Sequence, residues 1–542
     1  MASARKRMKE ERPAFILKPY TDHELQRWRR VVKWWMTPVV IGFCLFYGFA
    51  YALYTPYLIL MFSIPIAIPA VLVIWALPDT ERAPTRLLEA MFWGFLISMI
   101  VWPNYLAVAL PGLPWITVAR LFGWPLDFAL LISLSVSKTF RTELNQTIHS
   151  VPWLWRILAA FLVLQFFSIA LSSRVGEGIN QFLVALSTWT AMFLTTSYVF
   201  RKPMQGERFA AVLWGAALVV CAIGIVEVRH EQVPWAGHIP KFLKVEDELV
   251  SQILQGGRRA ATGIYRAQST FSTSLGFAEY IALALPFVLH FIIGAYRWQI
   301  KFAAILTVPF LIYTVLLTDS RLGVVGCVLA LLIYPLFIGA SRWIRDRHSL
   351  IGPAITLAYP AFFCAGIAST FFVGRLRAKV WGNGPQTASN QGRIEQWQMG
   401  IPKILSHPWG HGIGTGGIAL GFVTQQGEAT IDSYYLLILM EYGILGFILY
   451  FGAMLLVIVY AVKYAYIAKS GDRDYQFLVP IAIALVNFFI IKSVFSNVGN
   501  HPLIFMMYGI VAAFVYRIQQ ENAAHSAPVV ALTPAAPPPQ AA

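Results

Sequence analysis

The chain is 542 residues long, 58% hydrophobic and only 13% charged, with a mean hydropathy of +0.62. A soluble protein of this size needs far more charge to cover its surface, so an ordinary soluble enzyme, a nucleic-acid binder and a disordered chain are all excluded. A polytopic membrane protein remains. The net charge of +16 would suggest nucleic acid in a soluble domain. Here the collection of Lys and Arg in cytoplasmic loops accounts for most of it.

In chain order, residues 1–33 are polar and basic, from Arg5 and Lys6 to Arg30 and Lys33. They are too long for the first region of a cleaved signal peptide and read as a cytoplasmic segment before an uncleaved anchor. About fourteen apolar runs follow, each near the ~20 residues that a spanning helix needs. They lie at 34–53, 57–77, 87–110, 115–135, 153–171, 180–200, 208–228, 274–295, 299–318, 322–341, 349–372, 436–462, 476–495 and 498–516. Lipid cannot satisfy free backbone groups, so the spans are helices or a closed barrel, and barrel strands would alternate and be about half as long. The expected fold is therefore an all-α membrane protein with about 14 transmembrane helices over 34–518. Residues 519–542 are Ala- and Pro-rich and read as a disordered tail. Cys44, Cys221, Cys327 and Cys364 each lie in an apolar run without metal-type spacing, and read as buried, inert thiols.

Alternate loops carry the cations: Arg82 and Arg86, Lys138 and Arg141, Arg201 to Arg208, Arg297 and Lys301, Arg342 to Arg347, and Lys463 to Arg473. That alternation puts both termini in the cytoplasm. Two long segments then fall outside, 229–273 and 373–431. Both are basic, with Arg258, Arg259, Arg266, Arg375, Arg377, Lys379, Arg393 and Lys403. Long loops translocate regardless of charge, so the topology stands. An anionic substrate and anionic lipid headgroups explain these cations equally well from charge alone.

Nucleotide and metal chemistry find little support. Gly412, Gly414 and Gly417 match a GxGxxG spacing, but no strand precedes them. A tight turn near a bound substrate is the better reading. Glu246-Asp247-Glu248 reads as a solvated first helical turn. His407 and His411 are four apart, yet Pro408, Gly410 and Gly412 oppose a helix there. No cofactor and no metal are expected, and no nucleic-acid partner.

Charges near the outer ends of spans carry more information, because such groups are costly in lipid and face interior cavities. They are Glu279, Arg321, Asp432 and Glu441, with Arg120 and Lys492, whose long stems also allow snorkelling to the interface. Several arginines, few carboxylates and no nucleotide loop suit a lipid-linked diphosphate. Arginine forks match its oxygens, and the diphosphate is already an activated leaving group.

Four blocks resemble the O-antigen ligase and polysaccharide polymerase group of multi-spanning bacterial glycosyltransferases. They are YRAQSTFSTSLGFAEYIALALPF (265–287), LLTDSRLGVVG (316–326), GRIEQWQMGIPKILSHPWGHGIGTG (392–416) and IDSYYLLILMEYGILGFILYF (431–451). Their order and spacing, and the long external loop, are similar to that family's over residues 265–451. One feature departs from it. Family ligases commonly carry His-Asn in the fourth block, where this chain has Asp432-Ser433. The histidine's role does not carry over unchanged, and the departure favours a polymerase over a lipopolysaccharide ligase.

The resemblance implies a mostly helical periplasmic subdomain over 373–431 and a cavity open to the periplasm, in a protein of the bacterial inner membrane. It implies transfer of a growing glycan from a polyprenyl (undecaprenyl) diphosphate carrier to a lipid-linked repeat unit, with a chain-length regulator as a possible partner beside membrane lipids. Arg321 and Arg266 would then bind the diphosphate, and Arg393 the diphosphate or acceptor. Asp432 would be the base or the acceptor's anchor. Glu279 and Glu441 would hold the arginines or be structural, and His407 and His411 are secondary substrate-binding candidates. An O-antigen ligase acting on lipid A-core and a glycan exporter are the competing readings.

Overall fold

The computed structural model describes residues 79–526 except 110–114, 246–253, 255–262, 346–347, 349, 375–376, 378–386, 424–428 and 469–471, together with residues 38, 42, 70, 71, 73, 74 and 77. The basic segment 1–33, the run 34–53 but for two positions, most of 57–77, Cys44, Arg258, Arg259, Arg375, Lys379 and Glu246-Asp247-Glu248 lie outside the described residues.

The chain divides into two compact units. One comprises residues 1–84, 109–114 and 131–140. In it the Thr80 N–H donates to the Val136 carbonyl at 2.8 Å, and the Ser137 hydroxyl accepts from Phe140 N–H at 3.2 Å, capping the start of the next helix.

The other unit comprises 85–108, 115–130 and 141–542, and it holds every candidate residue. Helix α1 (Thr85–Val101) stops where Trp102 precedes Pro103, a position that disfavours helical backbone. The apolar residues beyond it, expected to continue the span to 110, form strand β1 (Leu106–Val108) instead. It pairs antiparallel with β2 (Ile116–Thr117) and β3 (Leu243–Val245) in the order β2-β1-β3.

The helices that follow are α2 (Val118–Val136), the short polar α3 (Lys138–His149), α4 (Pro152–Ser168), α5 (Val175–Val199, with a π turn at Leu186–Thr190) and α6 (Gln205–His230). Next come α7 (Ser274–Ile293), α8 (Trp298–Leu317), α9 (Arg321–Arg345), α10 (Ile351–Phe372), α11 (Thr387–Ser406) and the single-turn α12 (Gly416–Leu420). The last are α13 (Tyr434–Ile467), α14 (Leu478–Lys492) and α15 (His501–Ser526). Among the described residues eleven helices are long and apolar enough to cross a membrane, as a multi-pass membrane protein requires. Of the fourteen expected runs, the third forms the 17-residue α1 and the first two fall largely among the residues not described. Helix α15 runs on past the expected start of the tail at 519.

Helices α7 and α15 are almost wholly enclosed, whereas α10 is almost wholly uncovered within the chain. That difference fixes the fate of the cysteines: Cys221 and Cys327 are buried, but Cys364, on α10, is exposed, contrary to expectation. Polar residues of several loops meet at the start of α6. There Arg517 pairs with Asp472 and with Asp474 (2.8 Å), and Asp474 accepts from Gly206 N–H at 3.1 Å. Arg201 meets Glu143 at 3.5 Å. Helix α6 leads from this cluster to the candidate residues, which collect at the other end of its 26 residues.

Candidate active site

At the far end of α6 the carboxylate of Glu227 is fully buried. It accepts from the Tyr265 hydroxyl at 2.8 Å, from Gln268 N–H at 3.1 Å and from Ser269 N–H at 2.6 Å. These bonds hold Ser269 in the left-handed region (φ 53°), a conformation that costs a non-glycine residue energy unless its surroundings fix it. They also fix the loop that carries Arg266. Ala267 N–H donates to the Leu317 carbonyl at 3.2 Å, and Arg266 Nε donates to the Thr318 carbonyl at 2.9 Å.

Thr318 begins the Ser-Arg turn between α8 and α9. Asp319 adopts a left-handed backbone (φ 48°), and the Ser320 hydroxyl accepts from Gly323 N–H at 3.2 Å as the N-cap of α9. Arg321 is thus the first residue of α9, where the helix dipole adds positive potential to its own charge. Its guanidinium donates to Asn390 Oδ1 at 3.1 Å.

Asn390, Arg393 and Gln396 are spaced by three along α11, so their side chains share one face. Arg393 Nε lies 3.4 Å from Asp432 Oδ2, within ion-pair range but without hydrogen-bond geometry. The buried Gln396 accepts from the Asp432 N–H through Oε1 at 2.9 Å. Burial raises the Asp432 carboxyl above its ordinary pKa, and Arg393 opposes that rise. The neighbouring Ser433 caps α13, its hydroxyl accepting from Leu436 N–H. A relay therefore runs from Arg266 through the Thr318 turn to Arg321, across Asn390 to α11, and from Arg393 to Asp432.

Glu441 does not join this relay. Its side chain turns to the glycine-rich turn 410–417, where Oε1 accepts from Gly414 N–H at 3.1 Å. The turn is stitched to α13: His411 N–H donates to the Met440 carbonyl at 2.7 Å, Gly412 N–H to the Glu441 carbonyl at 3.1 Å, and Ile444 N–H to the Pro408 carbonyl at 3.0 Å. Helix α13 breaks at this seam. Gly443 has φ 67° and ψ −167°, a region that only glycine occupies readily. A Cβ there would lie 2.0 Å from the Pro408 oxygen. A Gly443→Ala variant is expected to lose roughly 1–3 kcal/mol from the backbone conformation alone. A lowered melting temperature in detergent, read against wild type, checks this.

His411 and His407 lie with ring centroids 4.8 Å apart, and His411 Nδ1 is 3.2 Å from the Met440 carbonyl. Burial lowers the His411 pKa; the Met440 carbonyl opposes that shift, and the nearby His407 and Lys403 charges add to it. At neutral pH His411 therefore offers a neutral ring rather than a cation. Among the described residues no three His, Cys, Asp or Glu side chains are placed to hold a metal ion.

Glu279 pairs with a lysine instead of an arginine. Its Oε1 lies 2.9 Å from Lys492 Nζ with both side chains fully buried, and Asn500 Nδ2 donates to its Oε2 at 2.8 Å. Lys492 also faces the rings of Phe488 and Phe495, each at 4.8 Å. The snorkelling expected of Lys492 thus gives way to a buried ion pair between α7 and α14. Arg120 donates to the Trp115 carbonyl at the start of α2.

Three contributors to the site were missed by sequence reasoning. Asn390 and Gln396 carry no signal beyond their polarity. Glu227 does carry one: it is an acid at the end of an apolar run, which the rule for intramembrane charges flags.

Residues 302–451 match the model of a family described as O-antigen ligase. The match takes in Arg321, Arg393, His411, Asp432 and Glu441, and begins after Arg266 and Glu279. No curated protein matches the chain.

Proposed function

We propose that this protein is a polysaccharide polymerase of the bacterial inner membrane. It moves a growing glycan from a polyprenyl diphosphate carrier to a sugar hydroxyl of a second lipid-linked repeat unit, at the periplasmic face. The observation that carries the reading is the relay of Arg266, Arg321 and Arg393 ending on a carboxylate whose pKa burial has raised. The O-antigen ligase match of residues 302–451 supports glycan transfer as the reaction type.

In the proposed step the acceptor hydroxyl oxygen attacks the anomeric carbon of the donor sugar. The bond from that carbon to the diphosphate oxygen breaks, and the diphosphate leaves with the electron pair. Arg321 and Arg266, beside the N-terminus of α9, gain most when that oxygen takes on full charge, which lowers the barrier rather than the ground state. Asp432 takes the hydroxyl proton, a task suited to a carboxylate with an elevated pKa. Arg393 keeps Asp432 ionised and in place.

The ligase is the second reading, favoured by the description of the matching family. It differs only in its acceptor, lipid A-core. Purified protein given lipid-linked oligosaccharide alone separates the readings. A polymerase lengthens the glycan and releases carrier diphosphate, a ligase needs lipid A-core, and an exporter forms no bond at all.

The pH profile supplies a further test. The base works ionised, so kcat/KM is expected to fall as pH drops through the Asp432 pKa, which burial raises above its ordinary value. Because Arg393 lowers that pKa, Arg393→Ala is expected to move the acid limb to higher pH. A limb that stays put or moves down would remove Asp432 from the role of base.

A further inference from the structure

Beside the arginine relay lies a cavity of about 330 Å³ that no step above uses. Its polar lining comes from Asn104, Thr270, Ser272, Asn497 and Asn500, and its aromatic lining from Tyr105 and Phe271. None of the described residues that line it is charged. We propose that this cavity seats an uncharged sugar ring of the reacting glycan, an assignment that rests on the glycan-transfer reading above.

Position is the first argument. The loop 265–272 that supplies Thr270, Phe271 and Ser272 is the loop that carries Arg266. The turn 493–500 that supplies Asn497 and Asn500 touches the Asp432 segment, because the Ser496 hydroxyl donates to the Ile431 carbonyl at 2.5 Å. The cavity is thus bounded by one loop that leads to the diphosphate arginines and by another that leads to the base. A sugar joined to a diphosphate at one end, or offering a hydroxyl at the other, has to lie in such a place.

Chemistry is the second. Small-molecule sites combine apolar walls with a few fixed polar groups, at volumes of roughly 300–1,000 Å³, and this cavity sits at the lower end. Side-chain amides both donate and accept, as sugar hydroxyls do, and aromatic walls suit the C–H face of a ring.

The polar groups are also held firm. Asn500 Nδ2 is shared between the Gly276 carbonyl (3.0 Å) and Glu279, Thr270 donates to the Ile100 carbonyl at 2.7 Å, and the Tyr105 hydroxyl accepts from Trp235 Nε1 at 2.9 Å. The Asn104 amide donates to the Met99 carbonyl at 2.8 Å, while its buried Oδ1 has no partner among the described residues. These bonds fix the orientation of the polar groups that line the cavity. A uronate or other anionic sugar meets no charged side chain in the described lining, and the cation behind it, Lys492, which donates to the Asn497 carbonyl, is already paired with Glu279, so the anion's desolvation goes uncompensated.

Saturation-transfer NMR on the purified full chain in lipid nanodiscs tests the proposal, with glucose, galactose, mannose, N-acetylglucosamine and glucuronate as probes at millimolar concentration. At least one neutral sugar should receive saturation and glucuronate should not. Ser272→Trp, which fills the cavity, should weaken the neutral sugar about 10-fold or more, as loss of one or two hydrogen bonds implies. Asn104→Leu serves the same purpose if Ser272→Trp fails to give a folded peak on gel filtration. Saturation of no neutral sugar, equal saturation by glucuronate, or binding unchanged in the folded variant would overturn the assignment. The same preparations given a lipid-linked oligosaccharide keep the two readings apart. Cavity-dependent sugar binding without any transfer would sink the polymerase and leave the sugar seat, whereas transfer by Arg321-dependent protein without sugar binding would sink the seat alone.

Discussion

Arg321→Ala is expected to lower the rate of glycan transfer by roughly 10²–10³-fold, the usual loss when one fixed donor to a developing anion is removed. In the proposed reaction the loss should fall on kcat, because the guanidinium would contribute most once the diphosphate oxygen has gained its charge. Arg321→Lys should recover only part of it. An ammonium restores the charge at the start of α9 but not the fork that reaches Asn390 and a diphosphate oxygen together. Single-turnover transfer from a lipid-linked oligosaccharide, with membrane expression confirmed, makes the measurement. Near-wild-type turnover in Arg321→Ala would remove the arginine relay from catalysis.

The second large effect is on stability. Glu279→Met or Lys492→Met should each cost about 3–5 kcal/mol, because either leaves a charge buried without its partner. Replacing both residues by Met should restore most of that, since the cost of burying the pair goes with its attraction. The difference between the sum of the single losses and the double loss gives the coupling energy. Chemical denaturation in detergent, followed by near-ultraviolet circular dichroism, would report it. A double loss equal to the sum of the two single losses would mean that the pair is not the source.

Much of the fold was legible because hydrophobic length is a strong signal: every expected run that lies within the described residues contains a helix. The limits of that signal show at α1, where a run of suitable length continues as a strand. Composition cannot separate the two, and Trp102-Pro103 decides. The arginines were legible as types, since guanidinium groups in long loops and at the ends of apolar spans need a reason. Their grouping was not, because it depends on Asn390 and Gln396, amides that one cannot tell from any others in a polar helix. Glu441 and Glu279 looked alike in sequence, both being acids in apolar helices. Their partners, a glycine turn and a distant lysine, come from folding contacts that no local pattern encodes.

The break at Gly443 makes α13 two rods laid end to end. The first, from Tyr434 to Tyr442, is only about 13 Å long, less than half the hydrocarbon thickness of a bilayer. It is fastened to the glycine turn and, through Asp432, to α11, while the second rod is seated among the other spans. Gly443 therefore lets the direction of the short rod, and the placing of Asp432 just ahead of it, be set by the glycine turn and α11 rather than by the axis of the long rod.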